Sequence, residues 1–95
     1  MPVSDMICQA IQSRRALSFR YKGSVRLAVP YILGFDNAGA LVLSAVQLSG
    51  GSGVGFRTFS VANLSFMTIT NRHFDGRHAE YNPRDRLFHR VICQI

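Results

Sequence analysis

Arg20, Lys22 and Arg26 lie in one short stretch, ALSFRYKGSVRLAVP (16–30), with Phe19 and Tyr21 interleaved. Cations beside aromatic rings are the chemistry that single-stranded nucleic acid needs: charge follows the phosphates, and π-faces take the bases. The alternation is that of a strand, and its period of two sends Leu17, Phe19 and Tyr21 one way and Ser18, Arg20 and Lys22 the other. The aromatic residues then read as core and the basic ones as a solvated face, with the Tyr21 hydroxyl at the rim beside a turn. Arg57 is a further candidate, set between Phe56 and Thr58 directly after SGGSGVG (49–55). That loop lacks the Lys-Ser/Thr pair and the following helix of a phosphate loop, so it reads as a hairpin connection.

Other chemistry finds less support. Arg72, Arg77, Arg84, Arg86 and Arg90 are interspersed with Asp75, Glu80 and Asp85, a mixture that suits surface ion pairs worth about 0–1 kcal/mol each. His73, His78 and His89 show no metal-ligand spacing, so neither a metal nor a cofactor is expected. His89 and Cys93 would share one side of a strand, but the apolar run Val91-Ile92-Cys93 suits an inert thiol, and no enzymatic activity is expected. MPVSDMICQAIQSRR shows no export signal, which predicts reduced, buried cysteines at Cys8 and Cys93; a bridge between them is the alternative.

The elements that must position these residues belong to one domain spanning 1–95. With 47% hydrophobic and 17% charged residues, the composition excludes disorder. No apolar run approaches the roughly 20 residues of a membrane-spanning helix, so a soluble, cytoplasmic protein with no membrane partner is expected. The net charge is +6, and every basic residue except Lys22 is arginine. Such an excess attracts polyanions but confers no specificity.

SDMICQAIQSRR (4–15) predicts a helix capped by Ser4, with Met6, Ile7, Ala10 and Ile11 on one stripe. From residue 17 the period becomes two: LSFRYK and VRLAVPYILGF form a hairpin about a Gly23-Ser24 turn. Pro30 marks an edge, a bulge or a bend. ALVLSAVQL is apolar on both faces, hence central. FRTFSV and LSFMTIT are two short strands or one bent strand, and RVICQI closes the chain. Together these predict a mainly β fold: a small β-barrel over about 17–70 with an N-terminal helix, then a tail, 71–95, carrying a closing strand.

AIQSRRALSFRYKGSVRLAVPYILGF, GALVLSAVQ and RTFSVANL together resemble the WYL domain family, over roughly residues 7 to 70. The tail YNPRDRLFHRVICQI resembles the end of some short members. The Trp-Tyr-Leu signature falls near Leu41-Val42-Leu43, where only the last residue agrees. The family strand Arg-Phe-Arg-Leu-Asp-Arg-Ile stands here as Thr58-Phe59-Ser60-Val61-Ala62-Asn63-Leu64. The resemblance implies an SH3-like, Sm-like barrel acting as a regulatory or sensing module in transcription. Its ligand would be nucleic acid or another negatively charged molecule. Carried over by position, the site comprises Tyr21, Arg26, Ser44 and Arg57, with Arg20 and Lys22 as an additional basic face; Asn63 removes one guanidinium. Members are usually fused to a helix-turn-helix domain, for which these 95 residues leave no room, so a DNA-binding partner protein or a homo-oligomer is the expectation. The alternative is a self-association or protein-docking module, a homo-oligomer in which the arginines serve solubility only.

Overall fold

Helix α1 (Val3–Ser13) buries Ile7, Ala10 and Ile11, the stripe that its three- and four-residue spacing creates. In this computed structural model, which describes residues 2–51 and 53–95, the helix starts earlier and ends sooner than expected. Pro2, not Ser4, occupies the N-cap, and no side chain caps the end. Arg14 then takes the left-handed conformation (φ 57), its N–H donating back to the Ala10 and Ile11 carbonyls. That reversal leaves Arg15 free to begin the first strand.

Among the described residues, six strands form one antiparallel sheet: β1 (Arg15–Tyr21), β2 (Ser24–Asp36), β3 (Leu41–Ser49), β4 (Gly55–Ser60), β5 (Ser65–His73) and β6 (Phe88–Gln94). The sheet order is β4-β3-β2-β1-β5, and β6 also pairs with β2. The long β2 makes this possible: it pairs with β1 up to Ala28 and with β6 from Ile32 onward. Pro30 lies between the two segments, buried, at a register shift against β3. A residue without an N–H fits where a strand leaves one partner for another.

The expected barrel closure is not made by hydrogen bonds. Among the described residues no ladder joins β4 to β5, the two ends of the path. A three-residue 3-10 turn, Val61–Asn63, connects them instead and occupies the gap a ladder would need. The sheet nevertheless curls, because Phe59 of β4 meets Phe19 and Tyr21 of β1 with ring centroids 5.0 and 5.1 Å apart. Under the helix, the concave face holds Leu17, Phe19, Leu33, Leu43 and Phe59.

The opposite face of β2 and β3 is also covered, which is why β3 is apolar on both sides. Val29, Tyr31, Ile32 and Val46 are buried there against Phe74, Tyr81 and Phe88 of the tail. Tyr31 is the hub: its ring lies 5.3 Å from Phe56, 6.1 Å from Phe74 and 4.8 Å from Tyr81. Its hydroxyl oxygen accepts the His78 N–H at 2.8 Å, and the Tyr81 hydroxyl donates to the Ile95 carbonyl at 2.9 Å. The tail is therefore an ordered cover, although its sequence lacks periodicity.

The two cysteines are not the reduced, separate thiols expected from the sequence. Packing of α1 beside β6 brings Cys8 and Cys93 into a disulfide, with Cα atoms 5.8 Å apart across a sequence separation of 85. A bridge closing so long a loop stabilises by about 4–5 kcal/mol in the chain-entropy account, a large share of the roughly 5–15 kcal/mol available to a domain. No helix is long and apolar enough to cross a membrane, and no metal-ligand cluster occurs among the described residues.

Two outcomes follow from this packing. Cys93→Ser is expected to lower the unfolding free energy by about 2–5 kcal/mol in chemical denaturation. A loss below about 1 kcal/mol would show that the bridge adds nothing beyond the contacts around it. Burial raises the Tyr81 pKa above its usual 10.0, the opposing pull of Arg77 notwithstanding. The folded chain thus holds this proton more tightly than the unfolded one, and the associated stability, intact below about pH 10, falls as the pH rises further. Alkaline denaturation should show this loss in the wild type and a shallower one in Tyr81→Phe; equal slopes would remove Tyr81 as the cause.

Candidate anion-binding site

The β1–β2 turn falls at Lys22-Gly23, not at Gly23-Ser24, and both central residues have positive φ (50 and 78). This is the type I′ geometry whose twist matches that of a two-stranded ribbon, with glycine at the second position. The resulting register sets Tyr21 opposite Ser24, Arg20 opposite Val25, and Phe19 opposite Arg26. Directly opposed residues share a face. Arg26 therefore stands with Phe19 and Tyr21, while Arg20 projects from the other side beside the exposed Val25.

Tyr21 is the floor of the site. The Arg26 guanidinium lies 5.1 Å from its ring centroid and the Lys22 ammonium 5.4 Å, both within cation–π range. Arg26 is further fixed by two hydrogen bonds: Nε donates to Ser24 Oγ at 3.0 Å, and Nη1 donates to Gln47 Oε1 at 3.1 Å. Gln47 is fully buried. Its Nε2 donates to the Gly50 and Gly53 carbonyls at 2.7 and 2.6 Å, so one side-chain amide ties Arg26 to the β3–β4 loop. Gly51 lies against the guanidinium, and a side chain there would overlap it. Sequence reasoning missed Gln47, although it is the one long polar side chain in ALVLSAVQL.

These groups border an open depression of about 560 Å³ lined by Tyr21, Lys22, Arg26, Gly51, Arg57, Thr58 and Phe59. Arg57 reaches its mouth from β4 and donates from Nη1 to the Phe56 carbonyl at 2.8 Å. Among the described residues no carboxylate lines this depression, and the Lys22 and Arg26 charges add to one another's potential there. Such guanidinium donors suit phosphate or carboxylate oxygens.

Of the positions inferred from sequence, Tyr21, Arg26, Arg57 and Lys22 come together. Ser44 does not. It opposes Thr58 and Ile32, one step out of phase with Arg57, and lies in a separate cleft of about 190 Å³ with Glu80 and Asp85. Arg57 and Thr58 border both cavities. Arg20 lines a third hollow, of about 450 Å³, with Tyr21, Lys22, Gly23, Asn63, Ser65 and Phe66. Phe66 is a second residue the sequence did not single out: it is exposed and has φ 52.

Gln47→Leu keeps every charge in place while removing the bonds that hold Arg26 and the loop. It is expected to cost about 1–3 kcal/mol of stability and to weaken capture of inorganic polyphosphate by the folded variant, as measured by calorimetry. Unchanged affinity would show that Arg26 needs no such support. No family model, no curated protein and no solved structure matches the chain, and the chemistry of the site is therefore read from its own residues.

Proposed function

We propose that this chain is a non-enzymatic binding module that reversibly captures a phosphate-bearing ligand, with nucleic acid or a nucleotide as the favoured class. The observation that carries this reading is the placement of Lys22 and Arg26 over the Tyr21 ring, with Arg57 lining the same depression. Arg26 and Arg57 offer charge-assisted hydrogen bonds to phosphate oxygens. Arg26 is held in place before the ligand arrives, so little of its freedom is lost on binding. Tyr21 seats the Arg26 and Lys22 cations over its ring, and the net charge of +6 speeds encounter with polyanions. Ser44, turned toward the acidic cleft, takes no part in this capture.

The curled β5-β1-β2-β3-β4 path, its ends joined by a single 3-10 turn, supports the SH3-like architecture and with it the likeness to the WYL family. A regulatory role, alone or beside a DNA-binding partner, follows from that likeness. In the cytoplasm that this role requires, Cys8 and Cys93 would stand as an adjacent thiol pair, and their bridge forms where the surroundings oxidise. A second reading, self-association, is favoured by the edges of β4 and β5, each paired on one side only; such edges invite a neighbouring strand.

Fluorescence anisotropy with short single-stranded DNA and RNA tests the proposal. Three neutralised phosphates should give a log–log salt slope of about −2, and Arg26→Glu/Arg57→Glu should abolish binding. Equal binding by both proteins would remove these arginines from the site. Absence of binding, together with a salt-indifferent assembly in sedimentation, would favour self-association.

A further inference from the structure

Phe66 is 79% exposed and its backbone is left-handed, with φ 52. Arg20 pairs with Ser65 and Ser18 with Thr68. Phe66 and Met67 thus stand against Phe19 alone, the two-against-one count of a β-bulge. Glycine takes this backbone conformation freely, whereas a bulky aromatic residue is a genuine outlier there. A strained backbone that placed its ring in the core would be offset by burial; here the ring is delivered mostly to solvent, so burial offsets little of the cost. A bulge explains the conformation but not the choice of phenylalanine where glycine would serve, and that choice points to function.

The surroundings define what such a ring would meet. The hollow beside Phe66 is lined by Arg20, Lys22, Tyr21, Gly23, Asn63 and Ser65, cationic or neutral throughout. Tyr21 and Lys22 also line the Arg26–Arg57 depression, so the two hollows share these residues at the hairpin tip. A flat apolar ring flanked by cations suits a ligand that is itself a flat ring on an anionic backbone. An apolar protein partner would leave Arg20 and Lys22 to be desolvated without compensation.

We propose that Phe66 is a stacking platform for a base of single-stranded nucleic acid, whose backbone passes Arg20 and Lys22 toward the Tyr21–Arg26–Arg57 depression. This rests on the anion-binding reading above and deepens it: within that class the ligand is a single strand with an unpaired base to stack. Because any base has a π-face, the platform tolerates sequence, and the β-bulge fixes its position relative to the cations.

The chain contains no tryptophan, so Phe66→Trp creates a unique fluorescent reporter at the platform. Short oligodeoxythymidylate and oligouridylate should quench it, whereas inorganic polyphosphate of comparable length should bind with little quenching. Phe66→Ala should lose about five- to a hundred-fold in oligonucleotide affinity and keep its polyphosphate affinity; being exposed, the site tolerates the change, which circular dichroism verifies. Comparison of the two oligonucleotides separates DNA from RNA as the source. If wild type binds the oligonucleotides and Arg26→Glu/Arg57→Glu does not, yet Phe66→Ala binds normally, the platform falls and the anion site stands. If wild type binds no oligonucleotide, both fall. Loss of self-association in Phe66→Ala with oligonucleotide binding intact would also overturn the platform, by assigning the ring to a contact between copies.

Discussion

Strand β2 carries more of this fold than any other element. Its thirteen residues serve β3 along one edge, and β1 and then β6 along the other. That exchange requires a point where one partner's ladder stops before the next begins, and Pro30, unable to donate, occupies it. With β6 seated on the far half of β2, Cys93 reaches Cys8, and the disulfide joins the first element to the last. The same half carries Tyr31, around which the tail's aromatic rings gather. Helix, tail and closing strand all depend on one strand long enough to change neighbours.

The near half of β2 decides the chemistry. In a two-stranded ribbon, a shift of one residue in the turn moves every side chain to the other face. A turn at Lys22-Gly23 sets Arg26 opposite Phe19, over the Tyr21 ring and within reach of Gln47. The cations of the hairpin are thereby divided. Arg26 joins Arg57 at the open end of the curled sheet, Arg20 faces outward, and Lys22 at the tip stands between them. A cluster that looks single in the sequence is two faces sharing a corner.

Much of the frame was legible because it rests on periodicity. The apolar stripe of α1, the two-residue alternation of β1 and β2, and the doubly apolar β3 are local signals that burial enforces. The tail was not legible, because its order comes from partners distant in sequence: Phe74 and Tyr81 pack on Tyr31, and His78 donates to the hydroxyl of the same residue. The disulfide stood in the sequence only as the disfavoured alternative, because nothing local brings together residues separated by 85 positions. Tyr21, Arg26 and Arg57, singled out in the sequence by residue type and neighbours, line one depression. Ser44 instead shares a neighbouring cleft with Arg57, because strand phase within β3 cannot be read from residues that are apolar on both sides. Gln47 was passed over because a lone amide in an apolar strand looks like an edge until the loop it binds is seen.

Backbone strain separates the structural from the functional in what remains. Among the described residues, Arg14, Lys22 and Phe66 are the non-glycine positions with positive φ. Arg14 has a structural return: its left-handed turn ends α1, two helix carbonyls accept its N–H, and its side chain bonds to the Gly76 carbonyl at 3.0 Å. Lys22 has a partial one, because the type I′ turn needs that conformation whatever residue fills it, although asparagine or glycine would fill it more readily. Phe66 has a smaller one, because a bulge of this kind takes a left-handed first residue whatever its type, but glycine would fill it more readily and the ring gains little burial. The strain that folding leaves unexplained thus grows from Arg14 to Lys22 to Phe66. The two residues with the most unexplained strain share one hollow with Arg20, beside the cationic depression, where a ligand rather than the core would offset the cost.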